Sequence, residues 1–260
     1  MATITEELII ERKGHIMVLI LNRPNTLNAL NRTVQRALEC AFQDADRDPE
    51  IRAIVITGNG RGFCSGADVE HLSSQTKRTI DEQRAPVPKF TARQNRVYKP
   101  TICAINGVCA GAGLHFVADS DIVIASSKAS FVDTHVNIGQ VTALEPIGLL
   151  RRMSMTDVLR MVILGKAERL SASQALEAKM ISEIVEPDEL LERAMALATI
   201  AARVSPAAVQ ASLKAIWWSL DMTLSQSYEV GFEMLIRHRA HPDAAEGPAA
   251  FLEKREPKWS

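Results

Sequence analysis

The sequence predicts an α/β fold whose last third is helical. Three observations carry this prediction. A strand pattern, a helix pattern and a second strand pattern follow one another near the start of the chain. Two glycine-rich turns each follow a short apolar strand. Beyond about residue 150, five successive segments repeat their apolar residues with the 3.6-residue period of an amphipathic helix. A strand, helix, strand unit implies a crossover connection and therefore a parallel sheet.

The chain opens with a predicted β-hairpin. The stretch "ELIIERKGHIMVLILNRP" is rich in Ile, Val and Leu, turns at Lys13 and Gly14, and is stopped by Pro24. A helix is predicted next, with Asn31 as its N-cap, and "IRAIVITGNG" predicts a strand ended by glycines. The residues predicted on the buried face of the helix are Val34, Leu38, Ala41 and Phe42.

The middle of the chain predicts more short strands, at "TICAI", "DIVIAS" and "ASFV". The polar stretch from Ser73 to Pro88 is too long for a structureless loop in a compact domain, so a helical or mobile segment is expected there. In the helical last third, "SASQ" fits the capping-box pattern that begins a helix.

Composition excludes several classes of function. The 260 residues carry a net charge of -1, which gives no basic field for a nucleic-acid partner. Because no apolar run reaches the ~20 residues that span a bilayer and the N-terminus has no leader pattern, a soluble, cytoplasmic protein is expected. The cysteines lack CxxC spacing, so neither a disulfide framework nor a metal site is predicted, and buried apolar side chains are the preferred interpretation. They are Cys40, Cys64, Cys103 and Cys109.

The two glycine-rich turns are "RGFCSGADVEHL" and "NGVCAGAGLHF". Each precedes a predicted helix, where free backbone N–H groups point outward, so two such turns side by side can bind one anionic oxygen. The alternatives are glycines that only turn the chain and a phosphate cradle. Neither turn matches a dinucleotide or P-loop pattern, and an oxyanion hole for a thioester enolate fits better.

The chain resembles the crotonase superfamily of enoyl-CoA hydratases, isomerases and relatives. The resemblance covers nearly the whole chain and rests, in order and spacing, on "LNRPNTLNAL", "GFCSGAD", "KPTICAINGVCAGAGL", "DIVIAS", "ILGKAERLSASQALEAKMISEIV" and "AAFLEKREP". It implies a crotonase-like ββα spiral core over residues 1–200 and a C-terminal helical region over residues 201–260. That region would complete the CoA site and assemble a homotrimer or homohexamer. These motifs specify the fold and acyl-CoA binding and leave the reaction open.

The resemblance places the oxyanion hole on the backbone N–H groups of Ala67 and Ala112. It also places His115 and His135 where hydratases of this family carry two glutamates. Imidazole shuttles protons near neutrality, and a helix N-terminus disfavours a cation at His115. We therefore predict His135 as the general base and His115 as a neutral hydrogen-bonding partner. The alternative is that either histidine is a packing residue in a degenerate site.

A nearby loop adds Asp133 and Glu145. Relatives that lack the hydratase pair place a working carboxylate or histidine in this loop, so Glu145 is a third catalytic candidate, able to orient a histidine, activate water or attack carbon. A solvated carboxylate at a helix start is an equal alternative for Glu145. Similarly, a set of large side chains in the last helices is interpreted as subunit packing rather than a ligand site. These are Trp217, Trp218, Tyr228, Phe232 and Met234.

The resemblance specifies the coenzyme site less completely than the oxyanion hole. Glu70 stands where a lysine is common, so the phosphates of CoA would depend on Arg23 or on Lys254 and Arg255, which are otherwise ordinary surface charges. The residues expected to bind CoA or substrate are Arg23, Asn25, Ala29, Ser65, Gly66, Asp68, Gly111, Thr134, Phe251 and Lys254.

The sequence thus predicts an acyl-CoA-processing enzyme with histidine-based acid and base chemistry and no cofactor beyond the CoA of its substrate. Hydration, isomerisation, hydrolysis and carbon–carbon cleavage stay open. Simple enoyl-CoA hydration is expected to be poor because the paired glutamates are missing. The alternative is a catalytically inactive acyl-CoA-binding protein.

Overall fold

The computed structural model describes residues 5–68 and 89–260, and the stretch Ser73–Pro88 lies outside the described residues. The strands described there are β1 (Leu8–Lys13), β2 (Ile16–Leu21), β3 (Ala53–Gly58), β4 (Gly62–Cys64), β5 (Thr101–Ile105), β6 (Val108–Ala110), β7 (Ile122–Ser126), β8 (Ser130–Val132), β9 (Leu170–Ser171) and β10 (Glu183–Val185). The α-helices in the same residues are α1 (Arg32–Arg47), α2 (Leu114–Asp119), α3 (Leu144–Leu149), α4 (Met155–Leu164), α5 (Ala172–Glu177), α6 (Leu190–Arg203), α7 (Pro206–Ser219), α8 (Leu224–His238) and α9 (Pro242–Glu253).

The strands form two sheets. The larger has the order β1-β2-β3-β5-β7-β10, and the smaller has the order β4-β6-β8-β9. β1 and β2 pair antiparallel, and from β2 to β10 every pairing in the larger sheet is parallel. The predicted hairpin, crossover unit and parallel sheet are therefore confirmed. The last third is not purely helical, because β9 and β10 each add an edge strand too short to leave an alternating pattern in the sequence.

Two layers of side chains cover the larger sheet. Alternation along β3 sends Ile54 and Ile56 to the face covered by α1, while Val55 faces α6. Helix α1 begins at Asn31, whose side chain accepts a hydrogen bond from the Val34 N–H, as predicted. Helix α6 presents a row of small residues to the sheet, which brings its backbone close. These are Ala194, Ala198 and Ala202.

The last helices expose apolar side chains. Helix α8 buries none of its residues, and Tyr228 and Phe232, one turn apart, are 71% and 62% exposed. Trp217 makes contacts within this chain: its indole N–H donates to Asp121 at 2.8 Å and its ring lies beside the Arg93 guanidinium, while its role in subunit packing stays a prediction. Trp218 likewise donates to the Tyr98 hydroxyl, at 2.6 Å.

All four cysteines are free thiols. Three are buried and Cys40 is half-buried, which agrees with the apolar interpretation, and burial raises the pKa of the Cys64 thiol to about 12.

No single helix among the described residues is long and apolar enough to cross a membrane. Helices α6 and α7 reach that length and composition only as a pair, bent by 106°.

Candidate functional site

The first glycine-rich turn follows β4 and is anchored to the segment before α1. The Gly66 carbonyl accepts from the Leu30 N–H at 2.8 Å, and the Asp68 N–H donates to the Leu30 carbonyl at 3.0 Å. In such a parallel bridge the middle residue, Ala67, turns its own N–H away from Leu30. Within residues 5–68 and 89–260, no acceptor takes the Ala67 N–H.

The second turn joins β6 to α2 through a short 3-10 helix, Gly111–Gly113. The first N–H groups of such a helix have no partner within it, and Ala112 lies among them. The two turns are in contact: a methyl group on Gly66 would lie 3.1 Å from the Ala110 oxygen and 3.4 Å from the Ala112 nitrogen. This geometry fits the predicted pairing of the Ala67 and Ala112 N–H groups, whose role stays a prediction.

Asn28 holds the loop that supports the first turn. It was not among the predicted site residues. It is buried with a φ of +58°, a conformation that asparagine tolerates better than most residues. Its amide donates to the carbonyls of Asn59 and Gly62 and accepts from the Arg23 N–H at 2.7 Å. A polar residue inside the apolar spacing of "TLNAL" was the signal that could have identified it.

His135 lies against the second turn. A methyl group on Gly111 would come 3.3 Å from its Cε1 and 3.7 Å from its Nε2. The Nδ1 atom bonds to Asp133 Oδ1 at 2.8 Å, and the His135 backbone N–H donates to the same oxygen. The other Asp133 oxygen accepts from the Thr142 hydroxyl at 2.6 Å. Because ionised Asp133 only accepts, the Nδ1 atom carries the proton, which leaves Nε2 available on the side of the oxyanion turns.

The Asp133 partner changes the acid–base behaviour of His135. The hydrogen bond and the charge of Asp133 hold the pKa of His135 above its ordinary value, against the opposing effect of burial. Burial alone would raise the pKa of Asp133, yet the hydrogen bonds from His135 and Thr142 outweigh burial and lower it. The pair is therefore an ionised carboxylate that stabilises the protonated form of the imidazole.

His115 forms a second pair, with a carboxylate from another helix. Its Nε2 lies 3.2 Å from Glu145 Oε1, so α2 and α3 each supply one partner, and both residues are buried. On the other side of the ring, Nδ1 lies 3.1 Å from the amide nitrogen of Gln94. Phe90 packs beside the ring, with centroids 5.9 Å apart. Glu145 is not the solvated carboxylate of the alternative interpretation.

Glu145 stays ionised in this setting. Burial would raise the pKa of Glu145, but the hydrogen bond from His115 and the nearby charge of His135 lower it. The charges of Glu145 and His135 act on each other, as expected for two pairs that face one site. The described part of the chain holds no group of three or more His, Cys, Asp or Glu side chains that could bind a metal ion.

The structure places the predicted CoA residues in two groups. Around the first turn, Arg23 is hydrogen-bonded within the chain: its guanidinium donates to Asp68 at 2.9 Å and to the Ala29 carbonyl at 2.6 Å. Nearby, the Ser65 hydroxyl donates to the Thr26 carbonyl, and Asn25 is exposed. These bonds give Arg23 a role in holding the loop, and its predicted contact with CoA phosphate stays a prediction.

The second group is spread over other elements. Thr134 directly precedes His135 at the site, whereas Phe251 and Lys254 lie on α9 and at its C-cap. Phe251 is 84% exposed, and its predicted contact with CoA stays a prediction. Glu70, which departs from the basic residue expected beside the first turn, lies outside the described residues.

Comparison with known proteins decides the family. The sequence profile described as "Enoyl-CoA hydratase/isomerase" matches residues 11–260. The chain belongs to this family. It is 33% identical to the 2,3-dehydroadipyl-CoA hydratase of Escherichia coli, over 97% of this chain and 98% of that protein.

Solved structures agree with the enoyl-CoA hydratase/isomerase assignment. An enoyl-CoA hydratase/isomerase from Mycobacterium paratuberculosis is 42% identical with a TM-score of 0.89, over 98% of both chains. An enoyl-CoA hydratase from Mycobacterium tuberculosis is 26% identical with a TM-score of 0.88, over 98% of this chain and 99% of that one. The resemblance to the crotonase superfamily and its fold is confirmed. The protein is an acyl-CoA-processing enzyme of the hydratase/isomerase type.

Proposed function

We propose that this enzyme forms a thioester enolate by moving the proton on the carbon next to the thioester carbonyl of an acyl-CoA. The observation that carries the proposal is the His135 ring, whose Nδ1 is held by Asp133 at 2.8 Å while its Nε2 faces the turn at Gly111. An imidazole held in this tautomer can take a proton on Nε2.

In the proposed step, the carbon–hydrogen bond breaks and its proton goes to His135 Nε2. The electron pair moves onto the thioester oxygen, which accepts hydrogen bonds from the N–H groups of Ala67 and Ala112. Hydrogen bonds to a developing oxyanion are stronger than those to a neutral carbonyl, and each such donor is worth about 3 kcal/mol in comparable sites. No cofactor is required beyond the CoA of the substrate.

Glu145 is proposed to handle the second proton. It is ionised and held by His115 at 3.2 Å, so it can accept a proton from a water molecule or from a more distant carbon of the acyl chain. The site thus offers one carboxylate and one imidazole in place of two glutamates. This combination supports hydration or double-bond isomerisation, with hydrolysis or carbon–carbon cleavage of the acyl group as the less supported outcome.

The test is mass-spectrometric turnover of crotonyl-CoA together with a pool of cyclic and branched acyl-CoAs. Wild type is compared with a His115→Ala, His135→Ala double variant, and binding of an unreactive thioether analogue is measured for both. Histidine-dependent conversion of any thioester supports the proposal. Tight binding with no conversion by wild type contradicts it and identifies a catalytically inactive acyl-CoA-binding protein.

We further propose that the enzyme assembles as a homotrimer or homohexamer, in the cytoplasm. The supporting observation is the apolar face of α8, which none of the described residues of the single chain covers: Leu224, Tyr228 and Phe232 are 68%, 71% and 62% exposed. Light scattering after size exclusion tests it. A wild-type mass of one chain contradicts the proposal, and Phe232→Lys is expected to lower the assembly state.

A further inference from the structure

Gln94 contacts the site from a segment in which the sequence predicted no site residue. Its side-chain nitrogen lies 3.1 Å from His115 Nδ1, on the side of the ring opposite to Glu145. Both ring nitrogens of His115 therefore have a protein partner. Where the imidazole carries its proton depends on which of these partners donates and which accepts.

The orientation of the Gln94 amide is set by the backbone. The Phe90 N–H donates to Gln94 Oε1 at 2.7 Å, and a backbone N–H can only donate. The oxygen of the amide must therefore face Phe90, which turns the NH₂ group toward the ring of His115. Because an amide NH₂ also only donates, His115 Nδ1 must be the acceptor and carry no proton.

The proton of the neutral imidazole is then on Nε2, where it is donated to Glu145 Oε1. We propose that Gln94 is a positioning residue that fixes the proton of His115 on Nε2 and thereby orients the ionised carboxylate of Glu145. The inference rests on the proposed function for the use of that carboxylate, and on geometry alone for the tautomer.

The segment that carries Gln94 is tied to the core at several points. The Gln94 N–H donates to the hydroxyl of buried Thr91, which in turn donates to Asp119 at 2.7 Å. Arg93 pairs with both oxygens of Asp121, at 2.7 and 2.6 Å. These bonds fix the backbone on both sides of Gln94, as positioning a histidine to within a fraction of an ångström requires.

Two carboxyl groups act on His115 from the surrounding elements: Glu145 on α3 bonds its Nε2, and Asp119 lies four residues further along α2. Asp119 is bound by Thr91, and its positive neighbours are Arg93 and Arg152. Neither carboxyl group touches Nδ1. Gln94, as the donor to Nδ1, and Glu145, as the acceptor from Nε2, therefore select the same tautomer of His115.

The test is nitrogen-15 NMR of the histidine rings in the full chain, comparing wild type with Gln94→Glu. The glutamate keeps an acceptor for the Phe90 N–H and replaces the donor facing Nδ1 with a second acceptor. We expect wild-type His115 to be unprotonated on Nδ1 and the variant to be protonated there. Gln210→Glu on α7 is the matched control, which adds the same charge elsewhere and should leave His115 unchanged.

Gln94→Met is the second variant, in case the added charge prevents folding, and it should shift the Nδ1 resonance of His115 because the hydrogen bond donated by the Gln94 amide is lost. In a turnover assay, Gln94→Met is expected to lower kcat by about 10²-fold with little change in KM, as for loss of an oriented proton-transfer group. A wild-type His115 protonated on Nδ1, or spectra of His115 identical in all variants, overturns the inference. Inactive wild type with the expected spectra refutes the proposed function and leaves the tautomer assignment standing.

Discussion

The two histidines of the site differ in how the protein holds them. His115 has both ring nitrogens occupied, by Gln94 at 3.1 Å and Glu145 at 3.2 Å, and these partners come from different parts of the chain. His135 has one nitrogen held, by Asp133, which is only two residues away. The other nitrogen of His135 faces the oxyanion turns.

This difference assigns the two residues different tasks. A ring bonded at both nitrogens orients its neighbours, whereas a ring with one free nitrogen can exchange a proton with a bound molecule. The pKa shifts agree with this division: Asp133 raises the pKa of His135, and His115 contributes to the lowered pKa of Glu145. One pair thus provides a proton carrier and the other provides a fixed carboxylate.

Breaking the His135 pair is expected to have the largest effect. Asp133→Asn keeps an acceptor oxygen for Nδ1 but removes the negative charge that stabilises the protonated imidazole, so proton exchange at the substrate α-carbon should fall by about 10²- to 10⁴-fold. Because Asp133 raises the pKa of His135, the acid limb of the remaining activity should move to lower pH. Asp221→Asn, an exposed carboxylate, is the control. An unchanged pH profile would show that Asp133 does not act on the base.

Gly111→Ala tests the contact between His135 and the second turn. The new methyl group would come 3.3 Å from the imidazole at a φ of +49°, so both the ring and the Ala112 N–H should shift, with a loss of about 10²-fold in kcat. Gly14→Ala has a similar φ of +60° with no atom within 4 Å, and isolates the backbone strain. Equal kcat losses in the two variants would contradict a catalytic role for this turn.

Breaking the His115 pair should affect α-carbon exchange less, because the proton carrier remains. Glu145→Gln is expected to lower exchange by about tenfold or less while removing most water-dependent turnover. Ionisation of Glu145 stabilises the folded state above its unfolded pKa of about 4.3, and this stability is lost as pH falls through the lower folded pKa. The variant should therefore lose less stability in acid, measured by urea unfolding from pH 7 to 3. A larger exchange loss than that of Asp133→Asn would reverse the assignment.

The smallest effect is expected from Thr142→Val, which removes only the hydrogen bond at 2.6 Å to Asp133 Oδ2. Loss of one hydrogen bond to a charged group costs about 1.5 kcal/mol, and because Thr142 acts on His135 only through Asp133, we expect only part of this cost to reach the reaction, with exchange falling by about threefold. Thr156→Val on α4 serves as the control. An exchange loss larger than that of Glu145→Gln would contradict the expected order of effects.

The elements that sequence patterns predicted are those decided by neighbouring residues. The hairpin around Gly14, the cap at Asn31 and the capping box at Ser171 depend on contacts a few residues apart, and all are present. Helix α9 lies within the helical region predicted over residues 201–260, but it was not among the segments with a helical period, because Gly247 and Pro248 inside it hide its pattern.

The residues of the candidate site also divide into those that nearby sequence identifies and those that only the folded structure brings together. Asp133 was noticed because it lies two residues from His135, and Glu145 was a candidate because its loop lies near the site in related proteins. Asn28 left a signal in "TLNAL", whereas Gln94 and Thr142 could not be predicted, since their hydrogen bonds depend on how the folded chain arranges their segments.

The most direct test of the account is deuterium exchange at the α-carbon of a pool of saturated acyl-CoAs in D₂O, followed by mass spectrometry. Wild type is compared with His135→Gln and His115→Gln, with binding of a thioether analogue as the check on folding. The account predicts exchange by wild type, its loss in His135→Gln and substantial retention in His115→Gln. Exchange that survives in His135→Gln and disappears in His115→Gln would contradict the division of tasks between the two histidines.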